Sequence, residues 1–161
     1  MNLLEYAIKM ENDGEAFYRE QAMLNRGNGL FVVCEMLAND EMNHARVLKN
    51  RFEEKPYVLQ EIDTLKSVRN VFADFVKNRD EMKEVEGQLD FYRMALKREQ
   101  ESIDLYSDLL SKSDDVKDRG LFEYLIRQEE DHYVALEELV KLLEHAENWV
   151  EHAEFGNREE Y

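Results

Sequence analysis

Residues 37–48 read LANDEMNHARVL and residues 125–136 read LIRQEEDHYVAL, and these two segments carry the strongest structural signal in the chain. Each contains a Glu-x-x-His motif, formed by Glu41 and His44 in the first and by Glu129 and His132 in the second. Residues three positions apart lie on the same face of an α-helix, so both side chains of a motif can reach one site. Leucines flank each motif at helical spacing, which predicts two amphipathic helices with ionisable residues on their apolar faces.

The two motifs belong to an internal repeat with an offset of 88 residues. At the same offset Glu11 aligns with Glu99, and Tyr18 aligns with Tyr106. Further identical pairs are apolar, namely Ala7 with Ala95, Leu37 with Leu125, and Leu48 with Leu136. The repeat indicates an internal duplication of a helical hairpin.

Four segments of the chain have the apolar periodicity of helices. We predict them at about 2–24, with Asn2 as the N-cap, and at about 30–52, 88–110 and 115–145. The first and third connections are short and predict antiparallel hairpins, whereas the connection at about 53–87 is long enough for a crossover with its own short helix. Two hairpins joined by one long crossover form a ferritin-like four-helix bundle. The sequence therefore predicts a single all-α domain over residues 1–161, with a short additional helix at about 148–155.

The composition agrees with a helical protein and limits its partners. One proline and six glycines among 161 residues leave few turn residues for a sheet-rich fold. The net charge of −16 argues against nucleic acid or an anionic membrane as the main partner, because both repel an acidic surface. No segment is long and apolar enough to span a bilayer, and the N-terminal residues lack the pattern of a signal peptide, so we expect a cytoplasmic location.

The positions of the glutamates predict a metal site. Glu11 and Glu99 lie in the middle of apolar stripes in the first and third predicted helices, as the two motifs do in the second and fourth. Burying a carboxylate costs free energy unless it is paired, hydrogen-bonded or bound to a metal. One glutamate from each of two helices and one Glu-x-x-His from each of the others is the ligand set of di-iron carboxylate bundles.

The charges of these side chains favour two cations over one. Four carboxylates balance two divalent cations when both histidines bind as neutral imidazoles. We therefore predict two iron ions, with manganese or another divalent metal as the alternative, because both metals suit oxygen and imidazole ligands. The predicted ligands are Glu11, Glu41, His44, Glu99, Glu129 and His132.

Four segments around these residues resemble the rubrerythrin-like branch of the ferritin-like superfamily. They are AIKMENDGEAFY at 7–18, DEMNHA at 40–45, ALKREQESIDLY at 95–106 and QEEDH at 128–132. The resemblance implies that Glu41 and Glu129 are bridging carboxylates. It also implies terminal positions for the remaining ligands, the carboxylates of Glu11 and Glu99 and the imidazoles of His44 and His132.

The chain departs from rubrerythrin at two points. Cys34 is the only cysteine among the 161 residues, and a rubredoxin domain needs four cysteines to bind its iron. An external electron donor, such as a rubredoxin-like protein, is therefore expected. Full rubrerythrins also carry a glutamate three residues after the ligand of the third bundle helix, and Ser102 occupies that position here.

Three functions are compatible with these features. The favoured one is a di-iron redox protein that reduces hydrogen peroxide or dioxygen, with the small residues Gly14 and Ser102 leaving room beside the metals. The second is a ferroxidase or iron-storage protein that passes iron on, and the third is a metal-free helical interaction module. We expect the protein to form a homodimer. We also expect it to bind a small-molecule oxidant, hydrogen peroxide or dioxygen.

Several polar residues near the predicted ligands have two interpretations each. Tyr18 and Tyr106 are either core aromatics with hydrogen-bonded hydroxyls or groups that orient a ligand and intercept radicals. Asp40, Glu130 and Asp131 are either acceptors for the second ring N–H of a metal-bound histidine or surface charges.

The single cysteine and the two histidines outside the motifs are expected to be structural or solvated. Cys34 lies two turns before Glu41 on the same stripe, and we interpret it as a buried packing thiol. His145 and His152 are seven residues apart, and we interpret them as a solvated pair because no repeated carboxylates accompany them.

Overall fold

The structure, a computed structural model, describes residues 1–85 and 87–159, apart from the side chains of residues 79, 84 and 147–159. Over these residues it is all-helical, which confirms the predicted fold class. The described helices are α1 (Leu3–Leu24), α2 (Leu30–Phe52), α3 (Thr64–Phe75), α4 (Arg79–Glu84), α5 (Leu89–Ser111) and α6 (Val116–Glu159). None of them combines the length and the apolar character that a bilayer-spanning helix needs.

Capping side chains and turn residues set the helix ends close to the predicted positions. The side chain of Asn2 accepts a 2.8 Å hydrogen bond from the Glu5 amide and begins α1. Asp63 and Asn78 cap α3 and α4 in the same way. Gly87 has a φ of +94°, a left-handed conformation that glycine adopts without a steric penalty, in the turn that leads into α5.

The helices pair as the connection lengths predict. α1 packs along α2, and α5 packs along α6, so that two hairpins form the bundle. The crossover of residues 53–88 contains two short helices, α3 and α4, where the sequence predicted one. α3 packs on both α6 and α2 and covers one side of the bundle.

The last helix differs from the prediction. α6 runs without interruption from Val116 to Glu159, so the separate helix predicted at about 148–155 is the continuation of α6. The physical reason is that no glycine or proline occurs between Leu121 and Phe155, and a helix tolerates Asn148, the predicted start of the separate helix.

The apolar core consists of two clusters that lie on either side of a buried polar layer. On α2, Leu37 belongs to one cluster and Leu48 to the other, and Glu41 and His44 lie between them in the chain. On α6, Leu125 and Leu136 likewise belong to different clusters and bracket Glu129 and His132. The bundle therefore holds the predicted ligands at its middle, away from both ends.

Candidate metal centre

The structure brings the six predicted ligands together in two groups that share two members. One group consists of Glu11, Glu41, His44 and Glu129, and the other consists of Glu41, Glu99, Glu129 and His132. In each group the potential ligand atoms lie within 4.8 Å of one another, and every residue is buried. Glu41 and Glu129 belong to both groups, which is the position that a bridging carboxylate occupies.

Both histidines direct Nδ1 into this cluster. His44 Nδ1 lies 2.8 Å from a carboxylate oxygen of Glu129 and 3.4 Å from one of Glu11. His132 Nδ1 lies 3.0 Å from Glu41 and 3.3 Å from Glu99. The two imidazole rings are 6.0 Å apart between centroids. Because Nδ1 faces inward on both rings, Nε2 is left to bind a second group on the outer side.

Several polar atoms at the centre of the cluster lack hydrogen bonds, which indicates that these residues could bind a metal. Several buried ligand atoms make no hydrogen bond of suitable geometry, namely Glu11 Oε2, Glu41 Oε1, His44 Nδ1, Glu99 Oε2 and both carboxylate oxygens of Glu129. Short distances such as the 2.8 Å between His44 Nδ1 and Glu129 bring ligand atoms together without forming an aligned hydrogen bond. A buried carboxylate oxygen without a partner costs free energy, and such atoms are rare in folded proteins. A set of carboxylate and imidazole donors fits two divalent first-row transition metals.

The pKa shifts divide the four glutamates into two pairs. Burial and the charges of Glu11 and Glu99 raise the pKa of Glu41 well above its usual value. Burial and the neighbouring carboxylates raise the pKa of Glu129 in the same way. Glu11 and Glu99 differ. Burial raises their pKa values, but His44 and His132 and several hydrogen bonds outweigh it, so the pKa of Glu11 falls to about 2 and that of Glu99 is also lowered. The two shared carboxylates, Glu41 and Glu129, therefore resist ionisation unless cations lie beside them.

Each predicted tyrosine donates a hydrogen bond to the opposite half of the repeat. The Tyr18 hydroxyl donates to Glu99 at 2.6 Å, and the Tyr106 hydroxyl donates to Glu11. The crossing arises because α1 and α5 run antiparallel, so Tyr18 lies level with Glu99 and not with Glu11 of its own helix. Both hydroxyls are therefore hydrogen-bonded in the core and also placed to orient a candidate ligand.

The outer nitrogens of the two histidines bind different partners. His132 Nε2 lies 2.8 Å from Oδ2 of Asp40, which also accepts a hydrogen bond from the Thr64 hydroxyl. His44 Nε2 lies 3.4 Å from Oε1 of Gln128. Of the acidic residues predicted as acceptors, Asp40 makes this bond, and the roles of Gln128 and Thr64 were missed. The repeat offset contained a signal for Gln128, because it aligns with Asp40.

A pocket of about 150 Å³ leads to the cluster between α1 and α5. Glu41 and Glu99 lie at its inner end, and Gly14 and Ser102 are part of its wall. A Cβ atom at Gly14 would lie 3.1 Å from Oε2 of Glu41, a tight contact that glycine avoids. Gly14 thus leaves room for the Glu41 carboxylate itself, in addition to the space predicted beside the metals.

The remaining candidates lie outside the cluster. Cys34 is fully buried, and its sulfur lies 3.5 Å from the Tyr92 hydroxyl, in agreement with a packing thiol. Burial raises the pKa of this thiol to about 11. His145 is exposed, and the side chain of His152 lies outside the described residues.

Comparison with known proteins yields a family match. The family model described as Rubrerythrin matches residues 2–140, a range that includes all six predicted ligands. No curated protein and no solved structure matches the chain significantly. The family match covers most of the chain and agrees with the resemblance in the four segments around the ligands. The chain belongs to the rubrerythrin family.

Proposed function

We propose that the protein is a di-iron redox protein that reduces hydrogen peroxide or dioxygen with electrons from an external donor. The observation that carries the proposal is the pair of buried ligand groups that share Glu41 and Glu129 and border the pocket beside Gly14. Two bound iron ions would supply two electrons to the O–O bond of the oxidant. Reducing hydrogen peroxide to two waters consumes two electrons and two protons.

The chain's own residues would hold and shield such a centre. Glu11 and His44 would bind one metal, Glu99 and His132 would bind the other, and the two shared glutamates would contact both. The hydroxyls of Tyr18 and Tyr106 keep the outer carboxylates oriented. The apolar clusters above and below exclude water from the bundle axis, so small molecules reach the site through the pocket.

The pocket has room for a small oxidant beside the ligands. Its volume of about 150 Å³ is several times the space of about 10–15 Å³ that one water molecule needs. Hydrogen peroxide and dioxygen are small enough to enter it. The wall residue Ser102 gives a direct test, because Ser102→Leu would fill the pocket without removing a ligand.

The decisive experiment reconstitutes the metal-free protein with ferrous iron and then adds hydrogen peroxide in the presence of excess reductant. We expect about two irons per chain, because the two groups hold one site each, and consumption of many equivalents of peroxide. Ser102→Leu should keep the metal and lose most of this turnover. Ser107→Leu, which places the same side chain on an exposed position of α5, is the matched control.

Iron handling is the second candidate function, and one feature of the pocket favours it. The acidic side chains of Asp13 and Glu101 line the outer part of the pocket and would attract ferrous ions as well as admit an oxidant. A ferroxidase would stop after oxidising its bound iron and would release or store the product. A homodimer by light scattering would favour the redox role, whereas a closed shell would favour storage.

The third function, a metal-free interaction module, predicts a different result in the same experiment. The reconstituted protein would bind no transition metal, and chelators would leave its thermal stability unchanged. Either result would contradict the proposed di-iron centre.

A further inference from the structure

The two halves of the repeat differ at one position that touches the candidate metal centre. The residue before the first Glu-x-x-His motif is Asp40, and the residue before the second is Gln128. These residues align at the offset of 88, as the ligands do. The two halves therefore have the same candidate metal ligands, but the residues that contact the outer nitrogens of the histidines differ.

Each of these residues bonds the histidine of the other half. Asp40 of α2 contacts His132 of α6, and Gln128 of α6 contacts His44 of α2. The bond to the carboxylate is 2.8 Å long, and the bond to the amide is 3.4 Å long. The duplicated arrangement thus pairs one histidine with a charged acceptor at short range and the other with a neutral acceptor at long range.

Neighbouring residues fix both acceptors in these orientations. The Thr64 hydroxyl donates to the same Asp40 oxygen that faces His132, so this carboxylate is held from two sides. The side-chain amide of Gln128 donates to the carbonyl of Ile62 at 3.3 Å, which leaves its oxygen directed at His44. Residues of the crossover segment therefore maintain the difference between the two sides.

A histidine that binds a metal through Nδ1 carries its proton on Nε2 and donates it to the acceptor behind the ring. A carboxylate acceptor draws this proton more strongly than an amide does, and it makes the imidazole a better electron donor to the metal. Asp40 also adds negative charge on the His132 side beyond the four ligand carboxylates. Both effects favour a cation at the position that includes His132.

We propose that the two metal positions are inequivalent: the position that includes Glu99 and His132 fills first and binds more tightly, and the position that includes Glu11 and His44 fills second. Asp40 is a positioning residue in this scheme and contacts no metal. The inference rests on the dinuclear centre proposed above. The metal at the position of Glu99 and His132 would then stay bound under conditions in which the other metal exchanges with solution.

The test is a titration of the metal-free protein with Co²⁺, followed by calorimetry and by the optical bands of the bound ion. We expect two steps that differ at least about tenfold in affinity. His44→Ala should keep the tight step and lose the weak one, and His132→Ala should do the opposite. Two equal sites, or the reverse assignment of the steps, would overturn the inference while leaving the dinuclear centre intact.

Exchanging the acceptors tests the cause of the inequivalence. Asp40→Asn should weaken the tight step about 10- to 100-fold, the usual effect of removing an outer partner of a metal ligand. Gln128→Glu should strengthen the weak step, so it keeps the inference testable if Asp40→Asn folds poorly. Asp131→Asn removes the same charge one residue from His132 and is the control. An equal effect of Asp40→Asn and Asp131→Asn would contradict the role of the hydrogen bond.

Complete absence of Co²⁺ binding is a separate outcome. It would overturn the dinuclear centre and, with it, the inference. A single bound Co²⁺ that His44→Ala leaves in place and His132→Ala removes would support the assignment of the tight position.

Discussion

The hydroxyl of Tyr18 donates a 2.6 Å hydrogen bond to Glu99, a residue of the other half of the repeat. Tyr106 makes the reciprocal bond to Glu11. The two bonds link α1 to α5, although these helices have little other direct contact at close range. Each candidate terminal carboxylate is therefore oriented by the half of the molecule that does not contain it.

Tyr18→Phe is predicted to weaken metal binding at the position of Glu99 and His132, although Tyr18 shares a helix with Glu11. Losing a hydrogen bond to a ligand carboxylate should lower the affinity at least about tenfold. Co²⁺ titration of Tyr18→Phe in the His44→Ala background measures this position alone. Tyr133→Phe, which removes a hydroxyl from a half-buried position of α6, is the control.

Glu129→Gln is predicted to stabilise the metal-free protein and to abolish its stabilisation by metal. Both oxygens of Glu129 are buried without a well-aligned hydrogen bond, although His44 Nδ1 lies 2.8 Å from one of them, and both lie close to the other carboxylates. Removing this charge should raise the free energy of unfolding of the metal-free form by about 1–3 kcal/mol.

Thermal melts of the chelator-treated and metal-loaded forms, combined with metal analysis, measure both effects of Glu129→Gln. Metal should raise the melting temperature of the wild type far more than that of the variant. Glu130→Gln, at the exposed neighbouring position, should behave like the wild type. A variant that still binds two metals would show that Glu129 is not a ligand.

Asp118→Asn is predicted to destabilise the protein at neutral pH. Arg51 donates hydrogen bonds of 2.5 and 2.9 Å to Asp118 and ties the end of α2 to the first turn of α6. The hydrogen bond from Arg51 lowers the pKa of Asp118, and burial opposes it. Because both side chains are partly exposed, we expect a loss of about 1 kcal/mol in the free energy of unfolding.

The loss of stability caused by Asp118→Asn should be present at neutral pH and should disappear in acid. A carboxyl group with a lowered pKa in the folded state stabilises the protein above its unfolded-state pKa of about 3.9. This contribution is lost as the pH falls through the lower folded-state value. Urea unfolding at a series of pH values should show the variant and the wild type converging in acid, and the exposed Asp114→Asn should show no such trend.

Cys34 is predicted to resist thiol reagents in the folded protein. Its side chain is fully buried, and burial raises the pKa of the thiol to about 11, so little thiolate forms at pH 8. Labelling with a chromogenic disulfide reagent should proceed only as fast as the protein unfolds, and urea should accelerate it. Labelling of the native protein at the rate of a free thiol would contradict the described packing.

The sequence was sufficient to predict the helices and the identity of the candidate ligands. Helical periodicity is a local property, so α2 begins and ends at the predicted residues, Leu30 and Phe52. The repeat is likewise readable along the chain, and its offset of 88 residues pairs Glu41 with Glu129. Two features differ from the prediction: the crossover contains a second short helix, α4, and α6 continues to Glu159 because no residue before Phe155 stops it.

Only the tertiary structure decided how the two halves meet. The bonds from Tyr18 to Glu99 and from Asp40 to His132 join residues that are far apart in the chain. The offset pairs Asp40 with Gln128, but it does not show which histidine each one contacts. These contacts depend on the antiparallel packing of the hairpins, which sets the side chains that lie level with one another. The residue types were present in the sequence, and the packing of the bundle determined their partners.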